Sequence, residues 1–113
     1  MLWYILYKKD GDNKIVISVE QTKENVIIFT TENPDLYDYI HWDDSESGLP
    51  PSHQSIFLDS RTYDEKRRSG YKLECDPLFI KAQGDIADGD TEETAKTDWI
   101  AARESIKTKY PKP

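Results

Sequence analysis

The chain holds one cysteine, five glycines and no long apolar run. A lone Cys75 cannot close an internal disulfide, so no disulfide scaffold is implied. No stretch approaches the roughly 20 apolar residues of a membrane span. The apolar run Leu2–Tyr7 is too short for a signal peptide and lacks a basic leader, so the sequence predicts a soluble protein made in a reducing cytoplasm. There is no glycine-rich phosphate loop and no P-loop lysine. The carboxylates, though numerous, show no spacing that suggests glycoside hydrolysis.

Positive charge is also scarce. Fifteen basic against 22 acidic residues leave a net charge of −7, which opposes binding to phosphate backbones, so no nucleic-acid partner is expected. The exception is residues 61–72, where Arg61, Lys66, Arg67, Arg68 and Lys72 outnumber two acids; a solvated charged loop is the simpler reading. Apolar residues make up only 36%, but aromatics reach 12%, too many for a disordered chain. At 113 residues one thin core is expected, completed by a partner or a second copy.

The pattern predicts an α+β fold: a small antiparallel β-meander of three to five strands, then two C-terminal helices. Large residues of both parities in Leu2–Tyr7 suit a strand covered on both faces. Asp10-Gly11-Asp12-Asn13 is a turn signal. Lys14–Glu20 follows, with Ile15, Ile17 and Val19 on one face, making a hairpin. The β-branched run Val26–Thr31 reads as a third strand. Residues 36–42 are strand or short helix, with the strand favoured. The Pro/Gly/Ser-rich stretch 43–53 reads as a mobile loop, Ser55–Asp59 as a short strand, and 59–72 as a charged linker with at most one helical turn. The boundary thus falls between a β-rich part, 1–72, and a helical part, 73–113, within one compact domain.

Asp76-Pro77 is a helix-start signal. That helix is expected over Pro77–Gln83 and to stop at Gly84. A second helix of about 19 residues, capped by Asp90 or Thr91, would place Ala95, Trp99, Ala102 and Ile106 on one stripe and end at Pro111.

Candidate chemistry is sparse. His41 and His53 have no nucleophile in a suitable setting, and the acidic flanks of Cys75 would raise its thiol pKa. His41, Asp43, Asp44 and His53 fit no metal-ligand spacing and read as a solvated loop. Asp85–Glu93 looks superficially like a calcium loop, but its ligand order reads better as an acidic turn feeding a helix N-terminus. No catalytic, cofactor or metal residue is therefore predicted. Trp3, Tyr37, Tyr39 and Trp42 are a candidate interaction surface for protein or sugar, against the plainer reading of sheet packing.

The C-terminal third carries a resemblance. Asp76-Pro77-Leu78-Phe79, Lys81, Gly84, then Trp99, Arg103, Ile106-Lys107 and Tyr110-Pro111 resemble the C-terminal segment of small tail-associated and tail-assembly proteins of tailed bacteriophages, and the closing IK-x-KYPKP is similar to small virion proteins of marine myoviruses. It covers about 38 residues. It implies a non-enzymatic virion component or tail-assembly chaperone, located in the virion or in the host bacterial cytoplasm during assembly. Partners would be other phage structural proteins in an oligomer or larger assembly. A carbohydrate-binding module of the particle and a capsid decoration protein are the alternatives. The weakened run Ile80-Lys81-Ala82-Gln83 and the lengthened connector Asp85–Asp90 depart from the pattern, and residues 1–75 match nothing in it.

Overall fold

The structure, a computed structural model, describes all 113 residues. Strands β1 (Leu2–Asp10) and β2 (Asn13–Glu20) form the expected hairpin, with Gly11 in the turn at φ +60°. Helix α1 (Glu24–Glu32) follows, then strand β3 (Tyr37–Asp43), one helical turn α2 (Asp44–Ser47) and the two-residue strand β4 (Ile56–Phe57). The sheet is antiparallel with order β3-β1-β2-β4. The α+β class, with N-terminal strands followed by helices, agrees with the sequence reading.

Several local expectations are corrected. Residues 26–31 are helix, not a third strand. Strands β2 and β3 both run antiparallel to β1 on its two sides, so they are parallel to each other. Joining them requires a crossover, and α1 supplies it. Val26 anchors the crossover on Tyr4 and Leu6, outweighing a β preference worth only about 1 kcal/mol. For the same reason the first three strands are not a consecutive meander. On β2, a bulge opposite Leu6 and Tyr7 changes the parity. Val16 and Val19 therefore join one face, with Ile5 and Tyr7, while Ile17 joins Tyr4 and Leu6 on the other.

The charged stretch 59–72 is likewise no linker. Helix α3 (Tyr63–Gly70) passes through a π turn (Tyr71–Cys75) into α4 (Asp76–Ala87), making one continuous rod. Thr62 starts it, accepting from the Glu65 amide at 3.2 Å, the Thr-x-x-Glu form of a capping box. Asp76 caps nothing, because the helix is already running when it arrives. Gly84 is passed through as an interior residue, and the stop comes at Gly89, with φ +109°. Thr91 then caps α5 (Glu92–Ala95), accepting from Thr94, and α6 (Thr97–Lys109) follows almost without a break.

Leu2–Tyr7 is covered on both faces, as its pattern requires: Tyr4, Ile5, Leu6 and Tyr7 are all buried. One core joins Ile5, Tyr7, Val16, Ile40 and Trp42 to Cys75, Ile106 and Tyr110 from the helices. The smaller one holds Tyr4, Leu6 and Val26. Trp99 and Ala102 flank the first core, so the predicted stripe on α6 does pack. Helix α4 packs chiefly on the π turn, α5 and α6, and the molecule measures 48 × 30 × 26 Å.

Candidate functional site: a histidine junction on the open edge of the sheet

Strand β3 is an outer strand, and its free edge would otherwise present unpaired backbone groups. The C-terminal half seals this edge at His41. The His41 amide donates to the Tyr110 hydroxyl at 3.0 Å. Its carbonyl accepts from Arg61 at 2.9 Å, with the Ser69 hydroxyl 3.0 Å away. Arg61 is held in turn by a two-pronged pair with Asp59 and by stacking on Trp42, 4.4 Å from the ring centre. Arg67 donates to the Tyr110 carbonyl at 2.7 Å, fixing the end of α6.

The His41 side chain is fully buried. Its Nδ1 lies 2.8 Å from the Tyr110 hydroxyl, and its Nε2 meets Glu74. The same Glu74 carboxylate binds Lys23. The network favours one tautomer: the Tyr110 hydroxyl, accepting from the His41 amide, donates a hydrogen bond to Nδ1, and the Nε2–H donates one to Glu74. Glu74 reaches this position because the π turn inserts an extra residue into the helix and re-aims the side chains that follow.

The electrostatics agree with that arrangement. Burial lowers the pKa of His41, outweighing the pull of Glu74, so the imidazole is neutral. Burial alone would raise the pKa of Glu74; hydrogen bonds from His41 and Lys23 outweigh it and hold the carboxyl at about 2. Burial raises the pKa of Tyr110. Cys75 is buried next to Glu74, and its thiol is pushed up to about 11, first by burial. A thiolate nucleophile is therefore scarce at neutral pH.

A surface groove of about 670 Å³ lies outside the junction, lined by Lys23, Tyr39, Glu74, Glu104, Ser105 and Lys109 among others. The Tyr39 ring has Lys109 4.2 Å from its centre and Lys23 at 5.5 Å. Both lysines are paired, Lys109 with Asp38 at 2.9 Å and Lys23 with Glu74.

The four aromatic candidates do not make one surface. Trp3 and Trp42 are direct cross-strand partners on one face of the sheet. Tyr37 and Tyr39 belong to the alternate set and lie with Tyr4 and Leu6 on the other. Trp42 is buried, donating to the Gly48 carbonyl at 3.0 Å, and Trp3 donates to Asp44 at 3.1 Å. Tyr37 meets Phe29 edge-on.

Several motif residues of the C-terminal third carry structural work. Phe79 packs on Trp99 at 5.3 Å between ring centres, and Arg103 covers Tyr71 and Trp99. Ile106 and Tyr110 are core, while Asp76, Pro77 and Pro111 are exposed. Sequence reasoning weighed His41 as a metal or catalytic residue and preferred a solvated loop; it is instead fully buried on β3, with partners 33 and 69 residues away in the chain. Asp43 bonds elsewhere, to Lys72 and Ser45.

No protein-family model, curated protein or solved structure matched this chain.

Proposed function

We propose that the chain is a non-enzymatic structural or assembly protein of a tailed-phage particle, acting through protein–protein contacts. The observation that carries this reading is a surplus of exposed large apolar side chains on a thin core. Only 16 of 113 residues are buried, while Ile27, Ile28 and Phe29 on α1 and nearby Leu36 are 40–52% exposed. On the helical arm Ile80 and Ile100 are 71% and 50% exposed. Large apolar side chains left at the surface in this number are what a partner would cover. The C-terminal resemblance supplies the setting: of its residues Ile106 and Tyr110 are buried in the core, while Asp76, Pro77 and Pro111 remain outside.

The polar groups support the same reading from another side. The His41–Glu74 junction spends its hydrogen bonds internally and keeps the imidazole away from solvent. The rings that could stack on a sugar are also in use, Trp42 beneath Arg61 and Tyr39 between two lysines.

Mass spectrometry of purified virions tests the proposal. Detection alongside tail or capsid proteins is the expected result for a structural part. Detection only in infected cells, bound to virion proteins, indicates a chaperone. Absence from both overturns the reading.

A further inference from the structure

The basic patch of residues 61–72 is nearly spent inside the fold. Arg61 is held by Asp59, Arg67 by the Tyr110 carbonyl, Arg68 by Glu46 and Lys72 by Asp43. Only the Lys66 ammonium has no hydrogen bond or ion pair. It lines a recessed cleft of about 150 Å³ together with Tyr7, Lys14, Asp38, Ile40, Asp59, Lys109 and Tyr110. Lys14, reaching in from β2, also lacks an ionic partner; its ammonium sits 5.1 Å from the centre of the Tyr7 ring. The two carboxylates of the cleft are already neutralised, Asp38 by Lys109 and Asp59 by Arg61. Two uncompensated positive charges therefore face one small recess in a chain of net charge −7. At about 30 Å³ per water molecule, the recess has room for roughly five waters.

We propose that this cleft binds a small, doubly charged oxyanion of the size of phosphate or sulfate, held between the Lys14 and Lys66 ammonium groups. Lys14 and Lys66 are both partly buried without a paired carboxylate, and an anion bonded to both ammonium groups would supply the missing counter-charge. The buried walls, Tyr7, Ile40 and Tyr110, exclude bulk water and strengthen the attraction. Burial lowers the pKa of Lys14, and repulsion from Lys66 and Arg61 adds to it, against the pull of Asp59 and Asp38. The cleft is distinct from the apolar surface on which the proposed function rests, so either idea can fail without the other.

The test is a titration of the whole protein with sodium phosphate, then sodium sulfate, at ionic strength held constant with chloride. Amide NMR shifts and the unfolding midpoint are followed together. The expected result is saturable movement of the Tyr7, Ile40 and Lys66 amides and a midpoint that rises with anion concentration. Lys14→Met and Lys66→Met should each weaken binding by roughly tenfold or more, the loss of one charge-assisted contact. Lys8→Met, an exposed lysine outside the cleft, should bind as the parent does. Native amide dispersion in chloride alone verifies that each variant is folded. Non-saturable shifts, or equal binding by parent and Lys66→Met, overturn the proposal.

Discussion

Replacing Tyr110 by Phe removes one oxygen and leaves the ring, so it isolates the seal on β3. In the native fold that oxygen accepts the buried His41 amide at 3.0 Å and lies 2.8 Å from Nδ1. Without it, a buried amide loses its acceptor and a buried ring nitrogen loses its donor. Stranding a buried polar group costs about 1–3 kcal/mol, and the deletion strands two on one residue, so about 2–6 kcal/mol is expected. For a domain of this length that is roughly an 8–24 °C drop in the unfolding midpoint. Packing with His41, 5.8 Å between ring centres, survives the change, so cavity formation adds little. Thermal unfolding followed by circular dichroism gives the number. Amide hydrogen exchange should show faster exchange at His41 than at Ile5 in the central strand. Tyr63→Phe is the control, since its hydroxyl makes no hydrogen bond; it should change stability by less than about 0.5 kcal/mol. If Tyr110→Phe also stays within about 0.5 kcal/mol, the hydroxyl does not seal the edge and the reasoning is refuted.

Glu74→Gln tests the charge state of the junction. The folded-state pKa of Glu74 falls from the usual 4.5 to about 2, so its stabilisation is present above pH 4.5 and is lost as pH falls toward 2. The variant should show a shallower loss of unfolding free energy across that window, with Asp43, also lowered to about 2, and Asp38 and Asp59, likewise lowered, supplying the remaining slope; an unchanged slope would contradict the assignment. Gly70→Ala should destabilise despite the better helix propensity of Ala. A Cβ there would lie 2.8 Å from Ile106 Cδ1, and Ile106 is 1% exposed and cannot retreat. Overpacking of about 1–3 kcal/mol outweighs a propensity gain of about 1 kcal/mol. Urea unfolding should show that adding Ile106→Val recovers part of the loss, whereas a more stable Gly70→Ala protein would refute the contact. Cys75, buried and with its thiol raised to about 11, should react with a thiol reagent at pH 8 far more slowly in native protein than in urea. Equal rates would show that the π turn opens freely.

The legible parts of the sequence were those whose signal is local. Leu2–Tyr7 carries bulk on both parities, which only a strand covered on both faces can use, and Trp99, Ala102 and Ile106 announce the packed side of α6. Val26–Phe29 misled because β propensity says nothing about topology. Because β3 takes the side of β1 opposite β2, the chain needed a crossover at that point. Residues 61–72 hid a helix because they have no apolar stripe. The helix is specified by the Thr62–Glu65 cap and by Arg61, Arg67 and Ser69 reaching polar groups. The junction was not legible at all, since His41, Glu74 and Tyr110 meet only after the π turn has shifted the helix face. Glu74 looks in sequence like any solvated acid.

The central claim is that the exposed apolar surface meets virion proteins. Its most direct measurement is affinity capture of the tagged chain from infected cells, identified by mass spectrometry and compared with an Ile28→Glu variant. Ile28 is 52% exposed on α1, so the substitution should leave the fold intact. The account predicts that the parent chain captures phage structural proteins and that Ile28→Glu captures them at least tenfold less. Capture of no structural protein by the folded parent chain would contradict it.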